Sequence, residues 1–212
     1  MNKSILGKFF ILFLFTILLS SCQKNDDNYV TESSTGHTLN SFTKEEKTAL
    51  DNGYSVGKYT IFLTENNKKS TQDVTTFLEN NFFEKGFLDA ESQINPAKKI
   101  NIITYAMHYS PEEERFNLGV FLVNTSHENI QSIKMKVKPT FKNITEGEFG
   151  EIEYNKKDFI DLPNNGAVPK AISANAPIEY LDKLKENTGS DITFEIKDLE
   201  INGEKVNNTN EN

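Results

Sequence analysis

The side chains that could do chemistry here are one cysteine, three histidines and a few close-set acids. His37, His108 and His127 share no ligand spacing such as i and i+4, and they read as ordinary surface or core histidines. Glu112-Glu113-Glu114 reads as a solvated turn, because no Asp-x-Asp-x-Asp-Gly loop surrounds it to hold calcium. Asp158 and Asp161 could work as acid and base if the fold brought them together. No Gly-x-Ser-x-Gly elbow, phosphate-cradling loop or dinucleotide fingerprint occurs. The expectation is therefore no catalytic residue, no cofactor-binding residue and no metal ligand. Cys22 is left as the one residue with a defined chemical context.

That context is the start of the chain. Lys3 and Lys8 carry the only charges among the first 22 residues. An apolar run from Phe9 to Leu19 follows, interrupted only by Thr16, and then Ser20 and Ser21 precede Cys22. A basic segment, a short apolar segment and a small-residue cleavage site describe a secretory signal peptide. Eleven residues at about 1.5 Å each reach little more than half of a hydrocarbon core about 30 Å thick, so the run is not expected to remain as a spanning anchor.

Leu19-Ser20-Ser21-Cys22 resembles the bacterial lipobox. The resemblance implies that the Cys22 thiol carries diacylglycerol and that cleavage makes Cys22 the new N-terminus. Acyl chains contribute about 0.8 kcal/mol per buried CH₂, so a multiply acylated terminus holds firmly to a bilayer. With Cys22 consumed, no disulfide, thiol nucleophile or cysteine metal site remains. Gln23-Lys24-Asn25-Asp26-Asp27 is similar to the Gln-Lys-acid-acid signal that follows the lipidated cysteine of Bacteroidota surface lipoproteins. That likeness implies carriage to the outer face of an outer membrane, whereas polar linkers of Gram-positive lipoproteins have much the same composition. In a bacterial lipoprotein, the glycosylation sequons Asn124-Thr125-Ser126 and Asn143-Ile144-Thr145 are accidental.

Composition bounds the remainder. Residues 1–21 hold two lysines and no acid, so their removal leaves 191 residues and takes the net charge from −8 to −10. Such a chain is a poor partner for nucleic acid and is not drawn to anionic headgroups. From residue 22 to about 42 the sequence is almost devoid of apolar side chains and reads as a flexible tether. The expected layout is a signal peptide over 1–21, the tether over 22–42, a single β-rich domain over 43–206, and a disordered polar tail over 207–212.

Within that domain, Thr43-Lys44-Glu45-Glu46 forms a capping box for a short helix closed by Asn52-Gly53. Residues 58–64 alternate as a strand, and Ser70-Thr71-Gln72-Asp73 opens a helix bearing Val74, Phe77, Leu78 and Phe82, which Gly86 ends. Residues 100–109, 116–123 and 132–138 predict three strands, and their short connections predict an antiparallel meander. Its middle strand is apolar on both faces; its third turns Lys134, Lys136 and Lys138 to water. Short strands are expected at 150–154 and 159–162, a loop at 162–166, and a helix that starts at Pro177, carries Ile178, Leu181 and Leu184, and ends near Gly189. The last long strand spans 191–201, with a parity switch at Lys197-Asp198 that predicts a β-bulge. Asn202-Gly203 then turns the chain into a short return strand at 204–206. All six prolines fall outside these strands.

The fold expectation is mainly β: an antiparallel β-sandwich, immunoglobulin-like, with two or three short helices. The meander and its Gly/Pro/Asn-rich loops are similar to the β-sandwich domains of many bacterial lipoproteins. The functional expectation is a non-catalytic, lipid-anchored extracytoplasmic protein of the cell membrane or outer membrane. Its partners are the membrane, through the acyl chains on Cys22, and an envelope protein or glycan. A second reading is an accessory factor for secretion or surface-layer assembly in a Gram-positive envelope, which Phe116 to Phe141 and Asn165-Gly166-Ala167-Val168-Pro169 resemble. A third is a hydrolase.

Overall fold

The computed structural model describes residues 42–79, 81–144, 147–158 and 161–210. The signal peptide, Cys22, His37 and the tether up to residue 41 lie outside the described residues, as do residues 159 and 160 of one expected short strand. The described residues are mainly β, with two sheets and four short α-helices among them.

Helix α1 (Lys44–Asn52) carries the capping box that its sequence announces. The Glu46 N–H donates to Thr43 Oγ1 at 3.1 Å, and the Thr43 N–H donates to Glu46 Oε2 at 2.6 Å. Gly53, at φ +73°, ends it and leads into the hairpin of β1 (Tyr54–Val56) and β2 (Tyr59–Ile61). The single helix expected up to Gly86 is instead two, α2 (Thr71–Glu79) and α3 (Phe82–Ala90). Gly86 lies inside α3 because the Tyr105 ring packs against it, 3.0 Å from where a Cβ would stand.

Strands β3 (Ile100–Ser110) and β4 (Arg115–Asn124) pair antiparallel, as expected. The third strand of the expected meander does not join them. After β4 the chain crosses to a second sheet, and Ile130, buried on the way, bridges to Leu162. There β5 (Ile133–Thr140) lies between β6 (Gly150–Tyr154) and β8 (Thr193–Ile201), and β9 (Glu204–Lys205) completes the order β6-β5-β8-β9. The other sheet is completed by β7 (Gly166–Asn175), to which the sequence assigns no element beyond the loop at 162–166, in the order β1-β2-β7-β4-β3. Helix α4 (Leu181–Lys185) connects β7 to β8.

Two prolines lie within strands, contrary to expectation, and each sits where one neighbouring strand has stopped. Pro139 follows Val137, the last β5 residue paired to β6. On β7, the carbonyls of Asn165 and Ala167 accept the N–H groups of Thr60 and Phe62. Residue 169 has the same parity, so the next bond of this parallel ladder would need a Pro169 N–H, and proline has none. The β2–β7 pairing ends there, after Ile61 and Ala167. The parity switch in β8 is confirmed: the β5–β8 register shifts between Lys134 and Lys136, and Asp198 takes φ +50°.

One apolar cluster lies between the sheets, drawing Leu118, Val120 and Leu122 from β4 and Ile133, Met135 and Val137 from β5. A second lies on the opposite face of the five-stranded sheet, where Phe77, Phe83 and Phe87 of the helices meet Ile103, Phe121 and Val123. Strand β4 is therefore apolar on both faces because both are covered, one by a sheet and one by helices. Residues 207–210 run back along the domain. There Asn208 bonds both backbone groups of Ile100, and the Asn210 amide reaches the carbonyls of Pro96, Lys98 and Thr125.

Candidate functional site

Between the α2–α3 junction and the five-stranded sheet lies an open apolar groove of about 250 Å³. It is built around Tyr105. The β3–β4 register shifts between Thr104 and Ala106, so Tyr105 occupies a β-bulge. Ahead of the bulge Ile102 faces the inter-sheet core and Ile103 the helices; beyond it Met107 and Tyr109 face the inter-sheet core. Alternation from Ile103 already places the Tyr105 ring on the helical side, and the extra residue reverses the parity beyond it, turning Met107 and Tyr109 away from the helices. The ring lies across Gly119 of β4, where a Cβ would come within 2.8 Å of Tyr105 Cζ, and against Gly86 on the other side. Phe121 stacks 4.5 Å from it, and Phe82 meets it edge-on at 5.7 Å. Phe82 is half-exposed, so the groove has a fixed aromatic floor and an aromatic rim open to solvent.

Polar groups lie under the first turn of α2. Asp73 is fully buried; its Oδ2 accepts from Asn67 Nδ2 at 2.9 Å, its own N–H donates to Ser70 Oγ at 3.3 Å, and its Oδ1 has no hydrogen-bond partner. Burial pushes the Asp73 carboxyl up to about 6, with the Asn67 and Ser70 hydrogen bonds opposing the shift. The Tyr105 phenol is raised by its own burial and then by the Asp73 charge, which places these two groups in one electrostatic neighbourhood. Tyr54 is raised by burial first, then by Glu84 and Tyr105, and its hydroxyl is buried without a partner.

The residues singled out in the sequence are scattered. His108 stands at the groove mouth, exposed, on the strand that carries Tyr105. His127 occupies an exposed turn at φ +66°, its N–H donating to Asn164 Oδ1. Glu112 to Glu114 form the β3–β4 turn, where Glu113 lies 3.9 Å from Arg115 and the Glu114 carbonyl accepts the Ala176 N–H. Asp158 closes a turn by accepting the Asn155 N–H and the Asn66 amide, while Asp161 accepts from Gln131, so each carboxylate has its own structural partners. Asn124 is buried and its amide donates to the carbonyls of Glu128 and Leu162, which removes it as a glycosylation acceptor. Among the described residues no three His, Cys, Asp or Glu side chains group as metal ligands would, and no helix is long and apolar enough to cross a membrane.

The groove itself escaped the sequence reading. Its signal was a pair of glycines inside otherwise regular elements, Gly86 in a helical stripe and Gly119 in a strand, the mark of close approach by another group. No protein-family model matches the chain, and neither a curated protein nor a solved structure is significantly similar to it.

Proposed function

We propose that this chain is a lipid-anchored extracytoplasmic envelope protein whose domain binds a partner and performs no catalysis. The anchor is Cys22, by its lipobox context. The domain is an immunoglobulin-like β-sandwich in which α2 and α3 cover much of the outer face of one sheet. Two predominantly antiparallel sheets contributing to one core support that description. The observation that carries the binding reading is the apolar groove rimmed by half-exposed Phe82. Its apolar walls and rigid floor suit an apolar side chain or ring presented by an envelope protein or glycan.

Two measurements test the two halves. Cys22→Ala should release the chain from membranes or leave it as uncleaved precursor, and a labelled fatty acid should mark wild type only; equal labelling would end the lipoprotein reading. A photocrosslinking residue at position 82, placed in living cells, should give discrete adducts that one at Glu204, exposed on β9, does not. Indistinguishable patterns from the two positions would remove the groove as the binding site.

A further inference from the structure

Asp73 is the only charged residue among those described that is buried. It lies in the first turn of α2, on the turn formed by residues 64–70. In that turn Thr64 Oγ1 donates to Asn67 Oδ1, which orients the Asn67 amide toward Asp73 Oδ2. No cation answers the charge. Lys68 reaches Glu65 at 2.7 Å and Lys69 reaches Asn66 Oδ1 at 3.4 Å, both directed elsewhere. On β3 the Tyr105 phenol feels the Asp73 charge, while Glu84 of α3 acts on Tyr54 of β1. The hydrogen bonds that favour the Asp73 anion come from Asn67 and Ser70, and the second carboxylate oxygen has none.

A buried carboxylate in this state has two ways to lower its energy. It can hold a proton and lose its charge, or the turn beneath it can open and let water reach it. We propose that Asp73 is a proton-operated latch on α2: protonated, it fastens the first turn of the helix to the 64–70 turn, and ionised, it drives that turn open. Thr76, one turn further along α2, lines the groove with Phe82 and Phe83, so release of α2 loosens the groove wall. This last step rests on reading the groove as the binding site. Because burial raises the folded-state carboxyl from the usual range to about 6, the stabilisation is complete below the unfolded value and is lost as pH rises through about 6.

The test is amide hydrogen exchange on the full chain in detergent, corrected for intrinsic rates. Between about pH 4.5 and about pH 7.5, protection across 71–79 should fall roughly ten- to a hundredfold in wild type, while β4 holds its protection. Asp73→Asn, the uncharged isostere of the protonated acid, should hold α2 protected throughout. A flat wild-type profile, or the same slope in Asp73→Asn, overturns the latch; if the variant does not accumulate, the wild-type profile alone decides. The chain has no tryptophan, so Phe82→Trp is a lone reporter of the groove wall. Its emission should shift to the red over the same pH interval, and an unchanged spectrum beside pH-dependent exchange overturns the coupling of latch to groove. The binding reading fails separately, in the crosslinking from position 82, with the exchange profile intact.

Discussion

Gly86 and Gly119 hold the Tyr105 ring between a helix and a strand, yet the two positions respond differently to a methyl group. At Gly119 a Cβ would stand 2.8 Å from Tyr105 Cζ and 3.1 Å from Ala106 Cβ, with the ring already held by Phe121. Gly119→Ala should therefore cost about 1–3 kcal/mol, the usual range for overpacking. At Gly86 the nearest approach is 3.0 Å, and the position is inside α3, where alanine gains about 0.8–1.0 kcal/mol of helix propensity over glycine. Gly86→Ala should come out near neutral. Urea unfolding of both variants checks the contrast, and equal losses would mean that Tyr105 is not wedged between them. Sequence could show that each glycine was out of place in its element. It could not show that one aromatic ring, brought in from β3, was the reason for both.

At the scale of elements, β5 is where sequence and structure agree most closely. Met135 is buried in the shared core, and Lys136 is exposed, 2.7 Å from Asp198. The outer face is not a bare cationic row: Lys134 lies 3.1 Å from Glu151, and Lys138 lies 3.1 Å from Glu195, so acids from the flanking strands answer each lysine. Met135→Asp should destabilise the domain by several kcal/mol through an unpaired buried charge. Lys136→Asp, which loses one exposed ion pair screened by water, should leave the unfolding midpoint close to that of wild type. Similar midpoint shifts on thermal unfolding would contradict the burial of Met135. Alternation made β5 and the bulge in β8 legible, because one face is wet. Strand β7 had no such contrast: Gly166, Ala167, Val168 and Pro169 are all buried, and Ala171 and Ala174 add small side chains. A strand covered on both sides and interrupted by proline carries no period to read, and with it went the sheet order and the crossover of β5.

At the scale of the molecule, the five-stranded sheet ends at β3, and an open strand edge invites pairing with another chain. Side-chain amides occupy that edge. Asn208 Oδ1 accepts the Ile100 N–H at 2.8 Å, and its Nδ2 donates to the Ile100 carbonyl at 3.0 Å. Four residues along, Gln93 does the same for Thr104, at 2.9 and 3.0 Å. Each amide imitates one residue of a missing neighbour strand. Between 189 and 191 a short turn presses on the same edge, its Gly189 so close that a Cβ would lie 2.9 Å from the Thr104 carbonyl. One guard comes from the segment just before β3 and the other from the end of the described chain, 108 residues away. Sequence offers an asparagine in a polar tail and no reason to place it there. Replacing both by alanine should remove about 1 kcal/mol per amide, and for a chain of this length that is a few degrees in Tm. The larger effect should be on association, because the freed edge exposes N–H and C=O groups at alternate residues from Ile100 to Thr104. Sedimentation velocity of Gln93→Ala/Asn208→Ala should show species growing with concentration beyond those of wild type. Thr209→Ala, exposed between Asn208 and Asn210, should leave the distribution unchanged. If the double variant loses stability yet sediments as wild type does at every concentration, the amides serve only to fix the ends of β3, and something else keeps that edge closed.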